Sequence, residues 1–187
     1  MSGSCSQFLQ LKLKENEKAL IAETLEFLEE AALSQPKVAV HRDYHSRNLM
    51  ILGTKEFGEN STPGIIDFQD AVIGSPAYDL MSLLEDARRD IRPESVESML
   101  LHYLTSMPDT HPDLFMNSYQ ILGLQRHCKV AGIFTRLATR DAKPAYREHL
   151  PRVLTLISLK LSHPLVMPVR EWFDQHLPEI PNREPMA

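Results

Sequence analysis

Three oxygen-bearing side chains, Asp43, Asn48 and Asp67, carry the clearest chemical signal in the sequence. Asp43 and Asn48 lie in its densest polar cluster, His41-Arg42-Asp43-Tyr44-His45-Ser46-Arg47-Asn48, set between the apolar runs Val38-Ala39-Val40 and Leu49-Met50-Ile51-Leu52. Asp67 closes a third short apolar run, Gly64-Ile65-Ile66. If these runs are strands of one ribbon, the three groups meet at one end of it. Carboxylate and amide oxygens are hard ligands that suit Mg²⁺ rather than zinc. A carboxylate left off the metal can take a proton from a hydroxyl. Two plainer readings compete. Asp43 and Asn48 are also turn formers, whose side chains bond the local backbone. His41 and His45 have a His-x-x-x-His spacing, but a zinc pair at that spacing needs a helix, and flanking strands argue against one.

The elements around this cluster are expected to be mostly helical. Residues 13–33 read as one helix, with Ile21, Leu25, Leu28 and Ala32 on its apolar face and Pro36 as the stop. The runs at 38–40, 49–52 and 64–66 are too short for helices and read as a small ribbon, with a loose loop over 53–64. Beyond Asp67 the pattern is helical throughout. One segment covers 77–90. A second carries Val96, Met99, Leu100, Tyr103 and Leu104, and a third covers 115–140. Tyr146, Leu150, Val153, Leu154, Ile157 and Leu161 mark a further helix after Pro144. The expected organisation is an N-terminal helix over 1–37, a lobe over 38–177 and a disordered, proline-rich tail over 178–187. Within the lobe, 41–48 would be the catalytic loop and 65–70 the metal-binding segment.

Composition bounds the rest. The chain has 187 residues, 43% hydrophobic and 24% charged, which suits one globular core and excludes a disordered or fibrous chain. Twenty Lys and Arg against 25 Asp and Glu give a net charge of −5, so no basic face for nucleic acid is expected. No apolar run has the length of a membrane span. Cys5 and Cys128 make neither a disulfide framework nor a zinc ribbon. With a polar start lacking a signal-peptide pattern, the expected compartment is the reducing cytoplasm.

The ordered set of motifs resembles the kinase catalytic loop H-R-D-x-x-x-x-N followed by the metal-binding D-F pair. Asp43 and Asn48 have the required four residues between them, and Asp67-Phe68 begins 24 residues after Asp43. His45 stands where protein kinases usually carry lysine, Gln69 replaces the glycine of D-F-G, and Gly74-Ser75-Pro76-Ala77-Tyr78-Asp79-Leu80 follows in place of an A-P-E motif. In these respects the chain is similar to the aminoglycoside phosphotransferase and choline kinase group. The stretches 41–50, 66–84 and 124–137 are most similar to the bacterial amino-sugar anomeric kinases within it.

That resemblance implies a mainly α fold with a small β ribbon, the C-terminal lobe of a protein-kinase-like fold. It implies Asp43 as the base toward a hydroxylated small molecule, and Asn48 and Asp67 as ligands of Mg²⁺ and, through it, of ATP. Asp79 would shape the loop. His45, Arg47 and Arg126 would support the loop or the substrate. The implied acceptor is an amino sugar such as N-acetylmuramate or N-acetylglucosamine, phosphorylated at the anomeric hydroxyl in cell-wall sugar recycling. Aminoglycoside, choline or homoserine kinases, or a non-catalytic binding module, are the alternatives. For Gln125, Arg126, His127 and Lys129 the plainer reading is a solvated helix face, and for Trp172 and Phe173 an apolar anchor. Members of the group carry a nucleotide lobe before the catalytic loop, with a glycine-rich loop and a lysine. Here Gly3 is the only glycine before Gly53, so that lobe is expected to be absent. Weak ATP binding by the chain alone, and self-association through an uncovered apolar surface, follow as expectations.

Overall fold

The structure, a computed structural model, describes residues 37–52 and 63–177 together with Lys14, Glu15, Ala19, Ala22, Glu26 and Glu30. Of the helix expected over 13–33, the described Glu15, Ala19, Ala22, Glu26 and Glu30 are helical and exposed. Their spacing places them along one side. The expected apolar face and the expected tail over 178–187 lie outside the described residues.

Among the described residues four short strands form two antiparallel pairs. β1 (Val38–Val40) pairs with β4 (Val72–Gly74), Val38 opposite Gly74 and Val40 opposite Val72. β2 (Leu49–Met50) pairs with β3 (Gly64–Ile65), Leu49 opposite Ile65. The single ribbon expected from sequence is therefore corrected to two ribbons, and β4 falls in a stretch expected to lead straight into helix. Its Val72-Ile73 pair is too short to show an alternation, and the Gly-Ser-Pro that follows reads as turn.

Five helices carry the bulk: α1 (Ala77–Leu84), α2 (Pro93–Ser106), α3 (Pro112–Thr139), α4 (Leu150–Leu161) and α5 (Met167–His176). Proline opens α2 and α3 in the first turn, where its missing N–H costs no hydrogen bond. The expected helix over 77–90 ends early. Glu85 leaves helical geometry at φ −117, ψ 47, and the Asp86 carboxylate accepts the backbone N–H of Arg88 at 2.8 Å. That local bond competes with helix continuation. The helix expected from Tyr146 onward is split: Pro144–His149 is a 3₁₀ segment and α4 starts only at Leu150, with Pro151 in its first turn.

α3, 28 residues long and hence about 42 Å, is the spine against which α1 and α4 pack. Its N-terminal half meets α1 through Phe115 and Tyr119 against Ala77, Met81 and Leu84. From Ile121 onward it packs in a second cluster with α4 and α5, where Ile121, Leu124 and Phe134 meet Val153, Ile157 and Leu161. Trp172 and Phe173, 5.4 Å apart edge to face, are buried in that second cluster, as expected of an apolar anchor.

Between the two clusters lies a buried polar knot. The Lys160 ammonium donates to Glu85 Oε1 at 2.5 Å and to Gln120 at 2.9 Å, and His127 Nε2 lies 2.7 Å from Glu85 Oε2. Gly123 makes room for it, because a Cβ there would sit 2.5 Å from Lys160 Cε. Burial would raise the Glu85 pKa, but Lys160 and His127 hold it below its ordinary value. Burial lowers His127, against the pull of Glu85, so a neutral imidazole donates its Nε2–H to the carboxylate. His127, expected on a solvated face, is thus corrected to a core residue.

The apolar outer faces of the ribbons, including Met50, Ile51, Phe68 and Ile73, are exposed. Among the described residues no helix is long and apolar enough to cross a membrane.

Candidate active site

Residues 41–48 form the loop between β1 and β2, and four hydrogen bonds fix its path. The Asp79 carboxylate, in the first turn of α1, accepts the backbone N–H of His41 at 2.6 Å and of Arg42 at 3.0 Å. The His41 ring is buried and meets the Ile66 carbonyl at 2.8 Å. Ile66 N–H in turn bonds the Asn48 carbonyl at 3.1 Å. The loop before β2 is thereby tied to the segment after β3. Arg42 takes a left-handed φ of 75° and Asp67 one of 66°. Such backbone costs about 1–3 kcal/mol per residue and persists where its surroundings over-determine it.

These ties bring the Asn48 and Asp67 side chains together beside the backbone of Asp43. Asn48, buried at the end of the 3₁₀ turn Ser46–Asn48, donates its amide N–H to the Asp43 carbonyl at 2.9 Å and to Asp67 Oδ2 at 3.4 Å. Its amide oxygen has no hydrogen-bond donor among the described residues. Gln69 donates to Asp67 Oδ1 at 2.7 Å. Asp43 and Asp67 are exposed. Among the described residues no three His, Cys, Asp or Glu gather as a metal site. Asn48 with Asp67 supplies one amide oxygen and one carboxylate, which is the protein share Mg²⁺ takes when phosphates and waters fill the remaining positions. The donor set fits that ion.

The other expected residues separate. His45 is half-buried, and burial followed by the Arg88 guanidinium lowers its pKa, so it is neutral at pH 7. Its Nδ1 is buried without a hydrogen-bond partner. Arg47 is exposed and forms no ion pair among the described residues. Arg126 places its guanidinium 5.9 Å from the Tyr78 ring, next to Asp79. Sequence reading missed Asp86 and Arg88, which flank the loop after α1. Asp86 is buried and accepts Ser46 Oγ–H at 3.5 Å. It lines a cavity of about 340 Å³ with Ser46, Leu83, Arg89 and Arg92. The pair Asp86 and Arg88 lies inside what the pattern presented as continuous helix, so nothing local marked it.

One prediction concerns the anchor. Asp79→Asn turns one accepting oxygen into an N–H that faces a backbone N–H. Leaving a donor unmatched costs about 1–3 kcal/mol. Thermal unfolding of this variant is expected to shift down by that amount; an unchanged midpoint would show that the two amides do not depend on Asp79.

Comparison with known proteins bears on the same residues. Residues 5–114 match the family described as the phosphotransferase enzyme family. The chain is similar to the N-acetylmuramate/N-acetylglucosamine kinase of Caulobacter vibrioides, 38% identical over 141 residues, covering 75% of this chain and 38% of the relative. It is also similar to the kinases of the same name from Neisseria meningitidis serogroup B, 39% identical over 75% of this chain and 42% of the relative, and from Pseudomonas putida, 38% identical over 80% and 44%. The chain spans about two fifths of the length of these curated relatives. The matched stretch contains the whole Asp43–Asn48–Asp67–Asp79 arrangement, and with more than half of its residues inside that match the chain belongs to the phosphotransferase enzyme family.

Proposed function

We propose that the protein is an ATP-dependent kinase that phosphorylates an amino sugar, N-acetylmuramate or N-acetylglucosamine, at its anomeric hydroxyl. What supports this reading above all is the Asp43–Asn48–Asp67 chain of hydrogen bonds on a loop clamped by Asp79. The exposed Asp43 carboxylate orients the acceptor hydroxyl and takes its proton as the sugar oxygen bonds the γ-phosphorus and ADP leaves. Asn48 and Asp67 would hold Mg²⁺, which when bound neutralises charge on the nucleotide phosphates. The protein's remaining task is positioning, the main source of rate in phosphoryl transfer. In this organisation 38–177 is the phosphotransferase unit, 41–48 its catalytic loop and 65–70 its metal-binding segment. The setting is the cytoplasm, where recycled cell-wall sugars would meet ATP. The exposed ribbon residues support self-association through that surface.

The metal assignment is tested by ADP release from the native protein against Mg²⁺ concentration, with the two amino sugars as acceptors and choline and an aminoglycoside as controls. Asp67→Asn removes the charged ligand and is expected to raise the Mg²⁺ requirement about tenfold or more, a charged interaction of at least roughly 1.4 kcal/mol. Asn48→Ala shifts it less, because the lost ligand is neutral. An Asp67→Asn protein with the parent's Mg²⁺ dependence would exclude Asp67 as a ligand, and turnover only with a control would replace the amino sugar as acceptor.

A further inference from the structure

Several cationic side chains around α3 and the catalytic loop have no role in the proposed metal pair at Asn48 and Asp67. Arg126 and Lys129 are three residues apart on α3 and so share one face of it. That face is registered to the catalytic loop, since the Arg126 guanidinium lies 5.9 Å from the Tyr78 ring and the adjacent Asp79 holds the loop amides. Arg88, in the loop after α1, sets its guanidinium 5.2 Å from the Phe134 ring further along α3, with its Nε buried and without a hydrogen-bond acceptor. Arg42 is in the loop itself. Among the described residues none of Arg88, Arg126 and Lys129 forms an ion pair with a carboxylate.

The acids nearby are already engaged or belong to the reaction. Asp79 is bound to two loop amides, and Asp86 accepts from Ser46 and from the Arg88 backbone. Asp43 is the proposed base. The cations also crowd one another. Lys129 is lowered by burial of its stem and by Arg42, with Asp43 pulling the other way. The charge on this face therefore has no carboxylate partner among the described residues. Like charges held near one another repel unless an anion joins them, and guanidinium forks match a carboxylate in geometry as well as charge.

We infer that the α3 face bearing Arg126 and Lys129, with Arg42 and Arg88 beside it, is a subsite for a carboxylate on the acceptor sugar. This rests on the amino-sugar kinase reading and deepens it. The two sugars in the relatives' names differ by one lactyl ether, whose carboxylate is present in N-acetylmuramate and absent from N-acetylglucosamine. The subsite makes the acidic sugar the preferred acceptor.

The test measures the dissociation constants of N-acetylmuramate, its neutral carboxamide and N-acetylglucosamine with the native protein, beside ADP release with each. N-acetylmuramate is expected to bind roughly tenfold or more tighter than its carboxamide, the range of one charge-assisted hydrogen bond or better. In Arg126→Gln and Lys129→Gln that ratio is expected to fall toward one, most fully in the double variant. Lys129 is at the surface, so its variant separates charge from folding. Equal binding of acid and carboxamide by the unmodified protein overturns the subsite, as does a ratio unchanged in the variants. Weakened Mg·ATP binding with an unchanged ratio also overturns it, by assigning the cations to nucleotide phosphate. ADP release from both sugars without a preference defeats the subsite alone, whereas no ADP release from either defeats the kinase reading and the subsite with it.

Discussion

Asp43→Asn is expected to turn over about 10² to 10⁴-fold more slowly than the parent, the usual worth of a positioned general base, while binding Mg·ATP as the parent does. The substitution keeps size and shape, and the loop retains its supports. Asp43 enters the hydrogen-bond chain through its backbone carbonyl, which accepts from Asn48 at 2.9 Å, so the side chain can change without unpinning Asn48 from Asp67. Loss of the carboxylate removes the acceptor for the hydroxyl proton and leaves the metal pair intact. The expected pattern is a lower kcat with nucleotide affinity unchanged, the mark of an interaction used only in the transition state. Steady-state ADP release beside calorimetry of nucleotide binding separates the two. Turnover near that of the parent would remove Asp43 from the role of base.

Lys160→Met is expected to cost about 3–5 kcal/mol of stability, the range for stripping one partner from a buried ion pair, and so to lower the melting temperature by roughly 6 to 20 °C for a chain of this size. Only 4% of Lys160 is exposed, and its ammonium serves both Glu85 and Gln120. Without it the Glu85 carboxylate stays buried with the neutral His127 as its remaining partner in the knot. The sign of the pH dependence follows. In the parent the Glu85 pKa is held below its ordinary 4.5, so its contribution is present above that value and is lost as pH falls through the lowered one. In the variant burial prevails and the carboxyl protonates more readily, so the deficit against the parent is largest at neutral pH and narrows toward pH 4.5. Glu85→Gln together with Lys160→Met removes both charges and should recover part of the loss. A Lys160→Met protein melting within about 2 °C of the parent at neutral pH, less than 1 kcal/mol for a chain of this size, would show that the knot contributes little.

Sequence and structure agree best where the signal is local. The polar run 41–48 between apolar strands, and Asp67 after another, were legible because each chemical group sits where short elements end. Asp79 was legible through the resemblance carried by the stretch Gly74–Leu80, while its helix-start position alone suggested only a cap. What stayed hidden is what depends on distant partners. β4 is two apolar residues and a glycine, and becomes a strand only by pairing with β1. Beyond the local Asp86–Arg88 bond, Glu85 at the end of α1 is held by Lys160, 75 residues away, and by His127, 42 residues away. Glutamate favours helix, and the tertiary pair overrides that preference. Gly123 was the available clue, since glycine within a long helix costs roughly 0.5–1 kcal/mol against alanine and signals a close neighbour, here Lys160. Arg126 and Lys129 read more readily as a solvated face than as a pocket lining, because the helix pattern alone does not say what packs against it.

At the Asp43 loop a phosphoryl group is expected to pass to a sugar's anomeric oxygen. Phosphorus NMR of the native protein's reaction with Mg·ATP and N-acetylmuramate or N-acetylglucosamine tests it directly. A new phosphomonoester resonance coupled to the sugar's anomeric proton is expected, appearing in step with ADP and suppressed in the Asp43→Asn protein. ATP converted only to inorganic phosphate, or a sugar phosphate formed equally well by Asp43→Asn, would contradict it.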